Sequence, residues 1–165
     1  MSAMQQLNKQ IQHEVTVAGL SNAFFNGVIA WLLLKGGSNL TLAGEHSYAV
    51  DILATAFILP FIVTLIVIPL NQRKQAAGKI PAVRLDQGHW LEAGVLCFPA
   101  SLGMRALYFG FFSMLIFSPL TLLPLWLLGL HEFTPAAYAA FKGVWAGAMA
   151  AALTPPMLLL AVGKD

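Results

Sequence analysis

The chain has 165 residues, of which 58% are hydrophobic and 10% are charged, and its mean hydropathy is +0.74. A soluble domain carries roughly 25% charged residues, so this composition excludes a water-soluble globular fold. The net charge of +2 and the absence of an aromatic-interleaved basic patch exclude nucleic-acid binding. The single cysteine, Cys97, excludes an internal disulfide and any cysteine-pair motif.

Residues 1–17 are polar, but apolar residues recur in them at every fourth position. This spacing predicts a short N-terminal cytoplasmic helix that extends the first span. The apolar run at about 18–35 predicts the first membrane span. A cleavable signal peptide is the rival interpretation, which Asn22 and Asn26 within the run make less favourable.

The second apolar run, 48–70, exceeds the roughly 20 residues needed to cross a bilayer and predicts a span kinked at Pro60. The polar residues that follow predict a cytoplasmic loop over 71–105. Within this loop, residues 89–104 are semi-apolar but too short to span. They predict an interfacial or re-entrant helix before the third span.

The third run, 106–130, is a clear span by its length and apolarity. The fourth, at about 136–162, is rich in alanine and contains Lys142, and it too is predicted to span. We therefore expect residues 1–165 to form a single membrane domain. Its fold class is all-α, a polytopic four-helix transmembrane bundle made of two hairpins.

The basic residues lie mostly on one side of the predicted spans, and cytoplasmic loops accumulate Lys and Arg. This bias predicts cytoplasmic N- and C-termini in a bacterial inner membrane. The side that holds both termini and the central loop carries Lys9, Arg73, Lys74, Lys79, Arg84, Arg105 and Lys164, whereas the other side carries only Lys35 and Lys142.

Asp51 and Lys142 are the most informative polar residues, because an ionisable side chain inside a span costs about 2.5–3.5 kcal/mol and usually faces a partner or a watery cavity. Both lie one or two turns inside the same predicted surface. They are therefore candidates for a salt bridge that lines a polar path. The alternatives are a pair that only fixes helix register, or a Lys142 that snorkels to the interface.

Asn22 and Asn26 are four residues apart and so lie on one face of the first helix. Carboxamides in lipid need partners, so this face is expected to point into the bundle. It is a candidate to bind a polar ligand or an ion. Interhelical hydrogen bonding is the alternative explanation.

Small residues recur at every fourth position in the first and fourth helices, a pattern that lets helix backbones approach closely in lipid. The contact could lie within the bundle or between copies, so a homo-oligomer is also expected. The residues predicted to pack are Gly19, Ala23, Gly27, Ala139, Gly143, Gly147 and Ala151.

His46 and His131 each adjoin a glutamate on the same predicted side, which makes them weak zinc-ligand candidates. Their spacing is not that of a preformed site, and no cofactor is predicted. The chain contains no phosphate-binding glycine loop, no His-Glu-x-x-His and no nucleophile elbow. We therefore expect a protein that is not an enzyme.

Three functional hypotheses remain open. The first is a small transporter or channel-like protein whose polar path runs between helices that proline residues hinge. The second is a non-catalytic subunit or scaffold that binds another membrane protein through its small-residue faces. The third is a lipid- or quinone-linked enzyme with its site at His89, Trp90 and Arg105. In each case the lipid bilayer is the main surrounding partner.

Overall fold

The computed structural model of the chain describes residues 3–80, 83–84 and 98–164. In this part of the chain four long helices form an all-α bundle, which confirms the predicted fold class. Each helix is long and apolar enough to cross a bilayer, so the chain is an integral membrane protein. The helices are α1 (Ala3–Leu34), α2 (Tyr48–Ala76), α3 (Leu102–Leu127) and α4 (Pro135–Val162).

Local signals define where the helices begin and end. The helices α2, α3 and α4 each follow a Ser or Thr whose hydroxyl accepts a hydrogen bond from the backbone N–H three residues later. At the ends of α2 and α3, Gly78 and Gly129 adopt a φ of 70°, which residues with a side chain rarely adopt. The capping residues are Ser47, Ser101 and Thr134.

The central helix of the bundle is α4. It packs against both α1 and α2, and α3 packs against α2. In the most apolar window of each helix, 56% of the residues of α4 are buried but only 6% of those of α1. Consecutive helices run antiparallel, but the two helices of each predicted hairpin do not pack closely on each other in the described residues. Instead, α1 packs mainly on α4 rather than on α2, its neighbour in the chain.

Small residues bring α1 and α4 into close contact. A methyl group added to Gly143 would lie 2.8 Å from the carbonyl oxygen of Ala23, and one added to Gly147 would lie 2.7 Å from that of Gly19. Neither position has room for a side chain, so the two backbones meet directly. The contacting residues of the interface include Gly19, Ala23, Gly27, Ala139, Gly143, Gly147 and Ala151.

Short strands join the loops at each end of the bundle. The loops 35–47 and 128–134 meet where Leu40 pairs with Phe133 and Thr41 pairs with Glu132 in an antiparallel register. We call this the loop end, and the opposite end, where α1 begins and α4 ends, the termini end. The strands in the described residues are β1 (Leu40–Thr41), β2 (Val83–Arg84), β3 (Glu132–Phe133) and β4 (Gly163–Lys164), with β2 parallel to β4.

The N-terminal segment is helical and extends the first span, as the sequence predicts. From Ala3 onwards it is continuous with the first span, because nothing in its sequence breaks the helical hydrogen bonds. The predicted interfacial helix at 89–104 lies mostly outside the described residues. Of its described part, 98–104, residues 98–101 are not helical and residues 102–104 belong to the first turn of α3.

The polar segment after residue 70 is partly helical, whereas the sequence predicts a loop over 71–105. Helix α2 continues to Ala76 because its polar residues find partners, Lys74 with Glu14 on α1 and Gln75 with the end of α4. Gln75 Nε2 donates to the carbonyl oxygen of Val162 at 2.8 Å. From α3, Arg105 donates to the carbonyl oxygen of Leu160 at 3.3 Å. These donors satisfy carbonyls at the C-terminus of α4 that have no partner within the helix.

The variant Gly147→Ala should lower the free energy of unfolding by about 1–3 kcal/mol, because its methyl group would overlap the Gly19 carbonyl and Ala23. Gly103→Ala in α3 is the matched control, since among the described residues no atom outside the local helix backbone lies within 4 Å of the added methyl group. Thermal unfolding of the purified proteins in detergent measures both. A wild-type melting temperature for Gly147→Ala would show that α1 and α4 do not pack through these glycines.

Candidate functional site

A groove with a volume of about 550 Å³ lies between α1 and α2. It exists because α1 leans on α4 and leaves a space beside its chain neighbour. Ligand sites for small molecules typically have volumes of about 300–1,000 Å³, so the groove is large enough for one. From α1 it is lined by Glu14, Val17, Ala18, Ser21, Asn22 and Asn26, and from α2 by Asp51, Ala54, Thr55, Ile58, Leu59, Ile62, Val63, Ile66, Val67 and Leu70.

The α1 wall of the groove carries the predicted asparagine pair. Asn22 Nδ2 donates to the Ala18 carbonyl at 2.8 Å, and Asn26 Nδ2 donates to the Asn22 carbonyl at 3.0 Å. The amide N–H groups are thus used within the helix. In the described part of the chain neither Oδ1 atom accepts a hydrogen bond, so this wall presents free acceptors. Ser21, whose hydroxyl donates to the Val17 carbonyl, lies beside them.

Asp51 and Lys142 meet at the loop end of the groove. Lys142 Nζ lies 2.7 Å from each carboxylate oxygen of Asp51, and the hydroxyl of Tyr138 donates to Oδ2 at 2.5 Å. Asp51 is in the first turn of α2, where the helix dipole favours a negative charge. The lysine side chain is 15% exposed and that of the aspartate 37%. The pair is therefore partly desolvated and held by three hydrogen bonds.

A second ion pair, which the sequence analysis missed, lies at the termini end. Lys74 Nζ lies 2.5 Å from Glu14 Oε1, and Gln10 Nε2 donates to the same oxygen at 2.7 Å. Glu14 is buried although it belongs to the polar N-terminal segment. The spacing of Gln10 and Glu14 on one helix face was a signal, but the lysine partner is 60 residues away in the sequence.

The two ion pairs mark opposite ends of the groove. Asp51 and Lys74 are 23 positions apart on α2, which corresponds to about 35 Å at 1.5 Å per residue. The hydrocarbon core of a bilayer is about 30 Å thick. The separation of the two ion pairs along α2 is therefore comparable with the thickness of the hydrocarbon, and the asparagines lie between them.

A smaller cavity of about 300 Å³ continues from Asp51 into the loop end. Asp51 lines both this cavity and the groove, so the ion pair separates two spaces. The polar residues of the smaller cavity include Glu45, His46, Tyr138 and Lys142. Its polar lining connects the groove with the surface formed by the loops.

The remaining candidate residues do not assemble into a site. His46 lines the smaller cavity and its carbonyl accepts a hydrogen bond within its own loop, whereas His131 is exposed and its carbonyl joins the two loops by accepting from Leu42 N–H. Within residues 3–80, 83–84 and 98–164, no three His, Cys, Asp or Glu side chains are grouped as metal ligands. His89 and Trp90 lie outside the described residues, and Arg105 bonds backbone carbonyls.

No protein-family model, curated protein or solved structure matches this chain. The chemistry of the groove and of its two ion pairs is the basis on which a function can be proposed. That chemistry combines free acceptors on α1, aliphatic side chains on α2 and a lysine-bound carboxylate at each end.

The Asp51–Lys142 pair should show thermodynamic coupling in a double-mutant cycle. Removing one partner leaves a partly buried charge unpaired, so Lys142→Met and Asp51→Asn should each destabilise the bundle by about 1–3 kcal/mol. The double variant should lose less than the sum of the two. Unfolding in detergent measures all three, and strictly additive losses would contradict an interaction between these side chains.

Proposed function

We propose that this chain is a small transport protein that moves a solute across the membrane through the groove between α1 and α2. The observation that supports the proposal is a groove that runs between two ion pairs, whose separation along α2 of about 35 Å is comparable with the thickness of the hydrocarbon. A purely structural bundle gains little from a polar groove in lipid. Polar and ionisable residues within spans usually mark a solute path.

The asparagine wall supplies the chemistry that a solute needs inside the membrane. A polar group that leaves water loses its hydrogen bonds, and the loss without replacement costs several kcal/mol. The Oδ1 atoms of Asn22 and Asn26 offer replacement acceptors about midway between the ion pairs. Ser21 adds a hydroxyl on the same wall.

The ion pairs provide a way to close the groove at either end. Glu14–Lys74 connects α1 with α2 at the termini end, and Asp51–Lys142 connects α2 with α4 at the loop end. Both pairs are partly buried, so each opens at a cost that a solute able to replace one partner of the pair would offset. Since α1 packs mainly on α4, a small movement of α2 would widen the groove without disturbing the glycine interface.

The orientation belongs to the same proposal. The excess of Lys and Arg at the termini end and in the central loop supports a cytoplasmic location for that end. A bacterial inner membrane is the setting in which this bias acts most directly. The smaller cavity at the loop end would then open to the opposite side.

The packing of the bundle gives less support to a scaffold. The seven small residues on which that hypothesis rested face each other within one chain. Their contact surfaces are therefore largely used within the bundle, although Ala23, Gly27 and Ala139 also line an open cavity at the surface between α1 and α4. A partner would bind beside this contact or on an exposed apolar face such as that of Phe24 and Phe25.

The proposal predicts that Asp51→Asn lowers solute uptake at least ten-fold. The change keeps the shape of the side chain but leaves Lys142 without its counter-charge at the end of the groove. The measurement is uptake of a panel of radiolabelled ions and small metabolites into proteoliposomes, with empty liposomes as the baseline.

Glu132→Gln is the matched control for this assay. Glu132 is an exposed acidic residue at the same end that lines neither cavity and accepts a hydrogen bond from Asn39, which glutamine can also accept. We expect wild-type uptake from this variant. Equal uptake by the wild-type and Asp51→Asn proteins, or no uptake above empty liposomes for any solute, would refute the proposal.

A further inference from the structure

The groove has an electrical bias that indicates what it accepts. Glu14 and Asp51 are acidic, and no basic side chain is among the described residues that line it. Lys74 and Lys142 form ion pairs with these carboxylates but are not among the residues that line the groove. Between the carboxylates the wall presents the acceptor oxygens of the asparagines. Because each carboxylate is already paired with a lysine, the unpaired polar atoms between the ion pairs are the acceptor oxygens of Asn22 and Asn26, and the negative end of these carbonyl dipoles favours a positively charged group.

The opposite wall is apolar. The side of the groove that α2 forms between Asp51 and its polar C-terminal turn is almost entirely aliphatic, with Thr55 as its only hydroxyl residue. A small hydrated cation would lose its water against this wall and gain nothing in return. A cation with a hydrocarbon body would instead bury that body against the isoleucines and valines.

The groove is open along its side as well as at its ends. Ile58, Ile62 and Ile66 line it, yet their side chains are 51%, 47% and 58% exposed, and Val17 on the facing rim is 49% exposed. In a bilayer these exposed surfaces contact lipid. A molecule that dissolves in the membrane can therefore enter the groove without passing through either ion pair.

We propose that the ligand of this groove is a lipophilic organic cation that enters from the lipid. This inference rests on the proposed transport function and names its substrate class. The charged centre lies against Asn22 and Asn26, and the hydrocarbon groups lie against α2. Competition of the cation with Lys142 for Asp51, or with Lys74 for Glu14, then loosens the ion pair at one end.

The sharpest test compares two probes that differ in charge but share shape and size, tetraphenylphosphonium and tetraphenylborate. Binding of each to the purified full chain in nanodiscs is measured by equilibrium dialysis, with empty nanodiscs subtracted. We expect saturable binding of the cation and none of the anion. Equal binding of both probes, or no saturable binding of the cation, would overturn the inference. This outcome does not depend on the behaviour of any variant.

A pair of variants locates the binding. Asn22→Leu with Asn26→Leu retains the approximate size of the side chains but removes both acceptor oxygens, and should weaken cation binding at least five-fold. Thr16→Val is the matched control, because Thr16 is an exposed polar residue of α1 that does not line the groove. Unchanged cation binding by the folded double variant would count against the groove as the site.

The binding and transport results separate the two proposals. Cation-selective binding without uptake would support the ligand class and reject the transport function. Uptake of a hydrophilic solute without binding of the phosphonium ion would support transport and reject the ligand class.

Discussion

The close approach of α1 to α4 is the contact on which the remaining arrangement depends. Lipid offers no hydrophobic force between helices, so packing must come from backbones that fit together. Gly143 and Gly147 of α4 have no side chain, so the backbone of α1 packs directly against them. The space that remains beside α2 becomes the groove. The contact that holds α1 on α4 therefore also creates a groove with one polar and one aliphatic wall.

The polar side chains of the groove are balanced by residues on other helices. Glu14 on α1 is held by Lys74 on α2, and Asp51 on α2 is held by Lys142 on α4. Each carboxylate is stabilised by a lysine on another helix, while the asparagine acceptors between them stay unpaired in the described residues. The two ion pairs fix the register of α2 against α1 and α4. In the proposed transport, the same contacts would open at the ends of the groove.

Much of the fold was readable from the sequence, because spans are long apolar runs and their number and type follow from length alone. Asp51 and Lys142 stood out as charges within apolar runs, and the structure brings them together. The burial of Glu14 was not readable, since its surroundings in sequence are polar and its partner lies on another helix. The order in which the helices pack was not readable either. A face of small residues shows that a helix packs closely, but it does not show which other helix it packs against. The groove follows from that order and so could not be seen either.

The glycine interface joins the earliest and the latest of the four helices in the chain. During synthesis α1 therefore enters the membrane without the helix on which it will pack, and its asparagines meet lipid or the insertion machinery until α4 is complete. β1 likewise has no partner until β3 has been made. Contacts so distant in sequence form slowly and late. Assembly of this protein is consequently an event that follows insertion of all four helices, not one that proceeds hairpin by hairpin.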